Sequence, residues 1–118
     1  MQADPFSAQC PSRQVLDRIG DRWSVLVILT LADGRKRYGE VASAIEGVSQ
    51  KMLTQTLRGL ERDGLVTRTV HAEVPPRVDY ELTRLGRSLL GAVGALTDWA
   101  TVHIDDVVEA RASYDGRR

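Results

Sequence analysis

The stretch SQKMLTQTLRGLERDGL, residues 49–65, combines an apolar stripe with a polar side that is unusually short of acids. If it is helical, at about 100° per residue, Leu57 and Leu60 fall within roughly 40° of Leu53 and form the stripe. The opposite side carries hydrogen-bond donors: Lys51, Thr54, Gln55, Arg58 and Arg62. Acids appear only in the last turn, at Glu61 and Asp63.

This set of donors is suited to nucleic-acid recognition. Gln can bond the edge of adenine with two hydrogen bonds, Lys and Arg can bond guanine, and the Thr methyl can contact thymine. Ser49 and Gln50 lie at the start of the stretch, where a helix offers free N–H groups to a phosphate. A polar outward face is also the norm for a solvated helix, so the neighbouring elements must decide between the two interpretations.

Four helices are predicted in the first half of the chain. The first begins near Cys10-Pro11 and ends by Gly20, because Pro suits the first helical turn. A largely buried second helix is expected from about Arg22 to Ala32, and a short third helix from about Tyr38 to Ile45. Ser49 is a good N-cap for the fourth helix, which should end at Asp63-Gly64.

The second half begins with a change of period. Alternation in LVTRTVHAEV and RVDYELT predicts a β-hairpin, and Pro75-Pro76 must lie at its tip or edge because Pro cannot pair inside a sheet. Thr83 should then cap one long last helix, with Leu85, Leu89, Val93, Leu96, Ala100 and His103 at spacings of three and four. The sequence therefore predicts a mainly α fold with a small antiparallel β-hairpin, the order of a winged helix-turn-helix.

In this setting the polar side of the fourth helix is predicted to be a recognition surface. In the hairpin, Arg68, His71 and Arg77 could reach phosphates, which would position the domain without reading sequence. The alternative is that Arg68 and Arg77 form ordinary ion pairs with Glu73, Asp79 or Glu81. Arg77 is the better candidate for a phosphate contact because it follows the Pro-Pro tip.

Composition fits one small globular domain. Of the 118 residues, 42% are hydrophobic and 27% charged, and the net charge is zero. Residues 35–87 nevertheless hold ten Lys/Arg and seven Asp/Glu. The expected division is a flexible N-terminus at 1–9, a winged helix-turn-helix domain with dimerisation helices at 10–105 and a C-terminal tail at 106–118. The longest apolar run is too short to span a membrane and no signal peptide is apparent, so we expect a cytoplasmic protein.

Other function classes find less support. His71 and His103 are isolated from metal-ligand patterns, and no Ser or Cys lies in a nucleophile motif, so we expect no catalytic residue, no metal and no cofactor. A protein–protein interaction module without DNA binding is the alternative. It would require exposed apolar side chains on the fourth helix. Only Met52 could serve there, and the 100° spacing places Met52 beside the core.

The segments CPSRQVLDRIGDRWSVLVILTLADGRKRYGEV and GVSQKMLTQTLRGLERDGLVTRTVHAEVPPRVDYELTRLGRSL, with the later LTDW, closely resemble the HxlR-type winged helix-turn-helix transcriptional regulators. The resemblance covers about residues 10–100. It implies a dimeric regulator that reads double-stranded DNA through its fourth helix. It places DNA contacts on Ser49, Gln50, Lys51, Thr54, Gln55 and Arg58, on Arg77 in the wing, and on Arg37 and Tyr38 beside the backbone. Tyr38 and Val41 stand where the family usually has Phe and Leu.

The last helix and the single cysteine complete the expectations. Leu89, Val93, Leu96 and Trp99 could cover the monomer core, but pairing with a second copy is the more economical use of this stripe and is what the resemblance implies. We therefore expect a homodimer on a palindromic operator, acting as a repressor. Cys10 could be a small buried hydrophobe or a sensor of oxidants, electrophiles or another small-molecule effector, because a helix start favours the thiolate.

Overall fold

The computed structural model describes residues 3–117 and contains six helices and three strands in that range. The helices are α1 (Pro11–Gly20), α2 (Arg22–Thr30), α3 (Tyr38–Ala44), α4 (Gln50–Arg62), α5 (Arg84–Arg87) and α6 (Leu90–Asp115). The strands are β1 (Lys36–Arg37), β2 (Val66–His71) and β3 (Arg77–Leu82). The predicted winged-helix class is thereby confirmed. Met1 and Gln2 of the predicted flexible N-terminus, and Arg118 at the other end, lie outside the described residues.

Short polar residues fix the boundaries of the helices that matter for the site. Asp21 caps α2, because its Oδ2 accepts the backbone N–H of Ser24 at 3.1 Å. Ser49 caps α4 in the same way, accepting the N–H of Met52 at 3.1 Å. Gly64 follows α4 with φ of 76°, a conformation that a residue with a Cβ adopts only at a cost. The predicted start and end of α4 are therefore confirmed.

The core forms where α2 and α4 meet the sheet. Val27, Ile28 and Leu31 at the end of α2 are at most 1% exposed, and the three stripe leucines of α4 are at most 2% exposed. The remaining buried apolar side chains are Val41, Ile45, Leu65, Val66, Tyr80, Leu82 and Val93. Only Val93 comes from α6, so the terminal helix contributes little to the core of its own chain.

The sheet has three antiparallel strands in the order β1–β3–β2. β2 and β3 form the predicted hairpin, with His71 opposite Arg77 and with Pro75 and Pro76 in the connecting loop. The hairpin prediction is confirmed. The third strand, β1, pairs Lys36 with Tyr80 and was not predicted, because two residues are too few to show an alternating pattern.

The prediction of one continuous last helix is wrong. Thr83 is the expected N-cap, accepting the N–H of Gly86 at 3.0 Å, but α5 ends after one turn. The Ser88 hydroxyl donates to the carbonyl of Leu85 and the N–H of Leu89 bonds to Gly86, so the helical ladder is interrupted there. α6 then runs to Asp115, across the predicted boundary at 105/106 and through residues expected to fray.

Candidate nucleic-acid interface

The open side of α4 gathers six of the nine predicted DNA-contacting residues around one shallow depression of about 650 Å³. They are Ser49, Gln50, Lys51, Thr54, Gln55 and Arg58. The helix can present them together because its opposite side is held in the core by the stripe leucines. No acidic side chain lines the depression, so its surface offers donors to an anionic, acceptor-rich partner. Whether each residue contacts DNA stays a prediction.

Tyr38 holds the start of α4 in place. Its hydroxyl donates to the backbone carbonyl of Gln50 at 3.2 Å and lies 3.3 Å from Oγ1 of Thr54. These bonds tie the first residue of α3 to the first two turns of α4. Tyr38, predicted to flank the DNA backbone, therefore has a positioning role that sequence reasoning missed. Its neighbour Arg37 is exposed, and the backbone N–H of Arg37 donates to Glu40 at 2.9 Å.

In the β2–β3 hairpin, which is the wing, Arg77 forms ion pairs, the alternative that the sequence offered to a phosphate contact. Nη1 lies 3.4 Å from Oε1 of Glu73, and Nε lies 3.5 Å from Oδ1 of Asp79. His71 approaches the other oxygen of Asp79, with Nε2 at 2.9 Å from Oδ2. The side chain of Asp79 is only 9% exposed. The charge of Arg77 is therefore partly balanced by acids of its own chain, which reduces what it can offer to a phosphate.

Cys10 is the N-cap residue of α1 and sits in a small network of donors. Its Sγ accepts the backbone N–H of Asp4 at 3.3 Å and lies 3.2 Å from Oγ of Ser12. These hydrogen bonds, the one from Asp4 first and those from Ser12 next, lower the pKa of the Cys10 thiol. The helix start, which the sequence indicated as the cause, acts through such hydrogen bonds, and Arg13 in the first turn contributes through its backbone. A lowered pKa increases the thiolate fraction at neutral pH.

The apolar residues of the terminal helix divide into two sets. Val93 is completely buried in the core of its own chain, so its assignment to a dimer interface is corrected. Leu89 is partly buried against the same core. Leu96 and Trp99 are 61% and 59% exposed, and the Trp99 ring lies 4.9 Å from that of His103. Further exposed apolar side chains follow at Val102, Ile104 and Val108, and at 100° per residue they are spread over more than one side of the helix.

Comparison with known proteins decides the family. The family model described as HxlR-like helix-turn-helix matches residues 18–108, which include α2 to α5, the sheet and most of α6. The chain belongs to the HxlR-like helix-turn-helix family. It is 42% identical over 106 residues to the uncharacterized HTH-type transcriptional regulator YtfH of Escherichia coli (strain K12), covering 90% of this chain and 84% of that protein.

Solved structures of similar proteins agree with the fold. The ytfH protein of Salmonella typhimurium superposes with a TM-score of 0.88 at 40% identity, covering 94% of this chain and 99% of that one. The redox regulator HypR in its reduced form gives a TM-score of 0.75 at 39% identity, covering 85% of this chain and 98% of that one. The chain is thus a DNA-binding transcription regulator of the helix-turn-helix type, and the relatives named here are regulators, not enzymes. Between residues 3 and 117, no helix is long and apolar enough to cross a membrane.

Proposed function

We propose that this HxlR-like regulator binds a palindromic operator as a homodimer, represses transcription from it, and responds to oxidants or electrophiles through Cys10. The observation that carries the proposal is the acid-free depression on the open side of α4. A helix of 13 residues that is anchored on one side and rich in donors on the other has the form required for docking in a major groove. Because its target is DNA, we place the protein in the cytoplasm.

Within this proposal the contacts divide into two kinds. Gln55 and Lys51 lie in the middle of the open side and are assigned to base edges. Ser49 and Gln50, at the N-terminal end of α4, are assigned to a phosphate. Arg37 and Arg77, which border the same two depressions beside the wing, are assigned to the DNA backbone. Phosphate contacts fix the register of the protein on the duplex, and base contacts set its sequence preference.

A protein–protein interaction module remains the second candidate, and Met52 is the observation that favours it. The sequence predicted that Met52 packs beside the core, whereas its side chain is 38% exposed. It is the one large apolar side chain exposed on α4. The centre of a protein–protein interface is normally depleted in charge and enriched in aromatic or apolar groups. The depression around Lys51, Gln55 and Arg58 is the reverse of that, so DNA is the better partner.

The exposed side of α6 supports the dimer. Leu96, Trp99 and Val102 are each more than half exposed, which is unusual for large apolar residues of one helix unless a partner covers them. A second copy related by two-fold symmetry would bury the same side chains on both chains. Two α4 helices could then reach half-sites about one DNA turn apart, which is why a palindromic operator is proposed.

The proposed chemistry at Cys10 follows from its thiolate. With diamide as oxidant, the Cys10 thiolates of two protomers would form one disulfide, and diamide would take up the two electrons from sulfur and two protons from water. With a quinone, the Cys10 sulfur would add to the ring and form a covalent adduct. The likeness to the redox regulator HypR, which has been solved in reduced and oxidised forms, supports this part of the proposal.

A physical connection exists between α1 and the recognition helix. Arg18, near the end of α1, places its Nε 3.1 Å from Oδ2 of Asp63, which caps the end of α4. The guanidinium also occupies the space beside Gly59, where an added Cβ would meet Cζ of Arg18. A change at Cys10 that shifts α1 would therefore act directly on the end of α4.

The DNA-binding proposal is tested by retardation of labelled genomic fragments from the source organism in a gel, with Lys51→Glu as the matched variant. We expect the wild type to retain a small set of fragments and the variant to lose them, because a negative charge in the depression repels the duplex. Equal retention of the fragments by both proteins would contradict the assigned surface. If the wild type retained no fragment, a protein–protein interaction module would be favoured instead.

The sensor proposal is tested by diamide or quinone treatment beside Cys10→Ser. Wild-type affinity for a retained fragment should change, the Ser variant should not respond, and a reductant should reverse the disulfide. Because the pKa of Cys10 is lowered, its rate of alkylation should reach half-maximum at a pH below that of an ordinary thiol. Modification without a change in affinity would show that Cys10 has no regulatory role.

A further inference from the structure

A second depression lies beside the first, in the cleft between α4 and the wing strands. Its volume is about 370 Å³, and Thr54, Arg58, Glu61, Arg68 and Tyr80 line it. Arg58 and Glu61 come from α4, whereas Arg68 and Tyr80 stand opposite each other in the β2–β3 ladder. Tyr80 is only 8% exposed, so the sheet side of the cleft rests on the core. Two guanidinium groups from separate elements therefore border one open cleft.

The two arginines of this cleft differ from Arg18 and Arg77. Within residues 3–117, neither Arg58 nor Arg68 has an ion pair or a side-chain hydrogen bond. Arg18 and Arg77, in contrast, are each paired with an acid. Glu61 lies on the border of the cleft without forming an ion pair to either arginine. The positive charge of Arg58 and Arg68 is thus available to an external anion.

The cleft is continuous with the proposed DNA surface. Thr54 and Arg58 line both the 650 Å³ depression and the cleft, which extends that surface towards the wing. When α4 lies in a major groove and the wing lies outside it, the DNA strand that bounds the groove passes between the two elements. A backbone phosphate of that strand offers the oxygens that a guanidinium binds with paired hydrogen bonds.

We propose that this cleft binds one backbone phosphate per half-site between Arg58 and Arg68. The inference rests on the proposed DNA binding and adds to it a residue, Arg68, that the sequence left undecided. It also assigns Arg58 to positioning and leaves base reading to Gln55 and Lys51. Glu61 opposes the phosphate as a like charge, so its removal should strengthen binding to every duplex alike.

The test uses a duplex that the wild-type protein retains from genomic DNA, synthesised with a neutral methylphosphonate at one backbone position at a time. One position in each half-site should weaken wild-type binding roughly tenfold, because a charge-assisted contact is lost. The same substitution should weaken binding by Arg68→Ala clearly less than it weakens binding by the wild type, since only the contact with Arg58 remains to be lost. Arg68→Ala should also lower the slope of log K against log salt by about one for each half-site.

The control variants separate charge, position and folding. Arg84→Ala removes an equal charge from a residue that lines neither depression, and it should leave the methylphosphonate profile unchanged. Arg68→Lys retains a cation and should restore most of the salt slope. Glu61→Gln should increase the affinity for all duplexes without changing their order. Thermal unfolding of each variant checks that its fold is retained.

The outcomes distinguish this inference from the function on which it rests. If the wild type binds the duplex but Arg68→Ala matches it in affinity and salt slope, the phosphate site is refuted and DNA binding stands. If inorganic phosphate at constant ionic strength competes with DNA for the wild type only, and no methylphosphonate position is sensitive, the cleft holds a free anion instead and the proposal is overturned. If the wild type binds no duplex, the proposed function itself fails.

Discussion

The helices α4 and α6 both carry an apolar stripe, and they use it in opposite ways. α4 buries Leu53, Leu57 and Leu60 in its own chain and leaves a polar, donor-rich side open. α6 buries Val93 and leaves Leu96 and Trp99 about 60% exposed. The exposed sides of the two helices differ in chemistry: α4 presents hydrogen-bond donors and α6 presents apolar side chains. One chain thus presents two surfaces of different chemistry on helices of the same domain.

The largest effect is expected when a leucine of the buried stripe of α4 is replaced. Leu53→Ala should lower the free energy of unfolding by about 2–5 kcal/mol, because it removes buried methyl groups and leaves a cavity at a fully buried position. Leu96→Ala, the same change on the exposed stripe of α6, should lower it by less than about 1 kcal/mol at concentrations where the chain is monomeric. Chemical denaturation of both variants measures the difference. Equal losses would show that α6 is part of the monomer core.

A smaller effect is expected at the proposed dimer surface. Trp99→Lys should weaken self-association by about 2 kcal/mol or more, roughly a thirtyfold rise in the dissociation constant. The reason is that a charge replaces an aromatic side chain that the proposed dimer would bury. Sedimentation at micromolar concentration should show about twice the 13.0 kDa chain mass for the wild type and for Trp99→Phe, and a monomer for Trp99→Lys. A wild-type monomer would refute the dimer.

The smallest effect concerns the link between α1 and α4. The Arg18–Asp63 pair is partly exposed, at 30% and 23% of the two side chains, so it should contribute only about 0.2–1 kcal/mol to stability. A double-mutant cycle of Arg18→Ala and Asp63→Ala isolates that coupling. Arg18→Ala should also reduce the change in operator affinity caused by diamide, although Cys10 is still modified. An undiminished response would mean that the signal takes another route.

Much of α4 and the wing could be predicted from local signals. Ser49 and Gly64 bound the helix, and the Pro-Pro tip separates two alternating segments, so each boundary had its own chemical cause. The residues that line the depression on α4 could also be predicted, because spacing alone determines which side chains of a helix share a face. Helical spacing gives the direction of a side chain but not how far the neighbouring elements cover it. The exposure of Met52 was not predicted for that reason.

What could not be predicted depends on contacts between distant residues. The sequence offered ion pairs of Arg77 with Glu73 or Asp79 only as an alternative, because the choice requires the register of the β2–β3 ladder. The bonds of Tyr38 to α4 require the packing of two helices. Arg68 was left open because its cleft exists only when α4 and β2 meet. The break before α6 arises from a side-chain hydrogen bond of Ser88, which leaves no periodic signal.

The central claim is that the open side of α4 reads DNA sequence, and paired alanine variants test it most directly. Affinities for a retained duplex and for its single-base-pair variants should be measured for Gln55→Ala and Arg77→Ala. Gln55→Ala should cost roughly 1–3 kcal/mol and relax the preference at one base pair in each half-site. Arg77→Ala should weaken all duplexes alike, with a small change in salt slope because acids of the wing already balance its charge. If Gln55→Ala preserves the relative affinities of all the duplexes, α4 does not read the sequence through this residue and the account is contradicted.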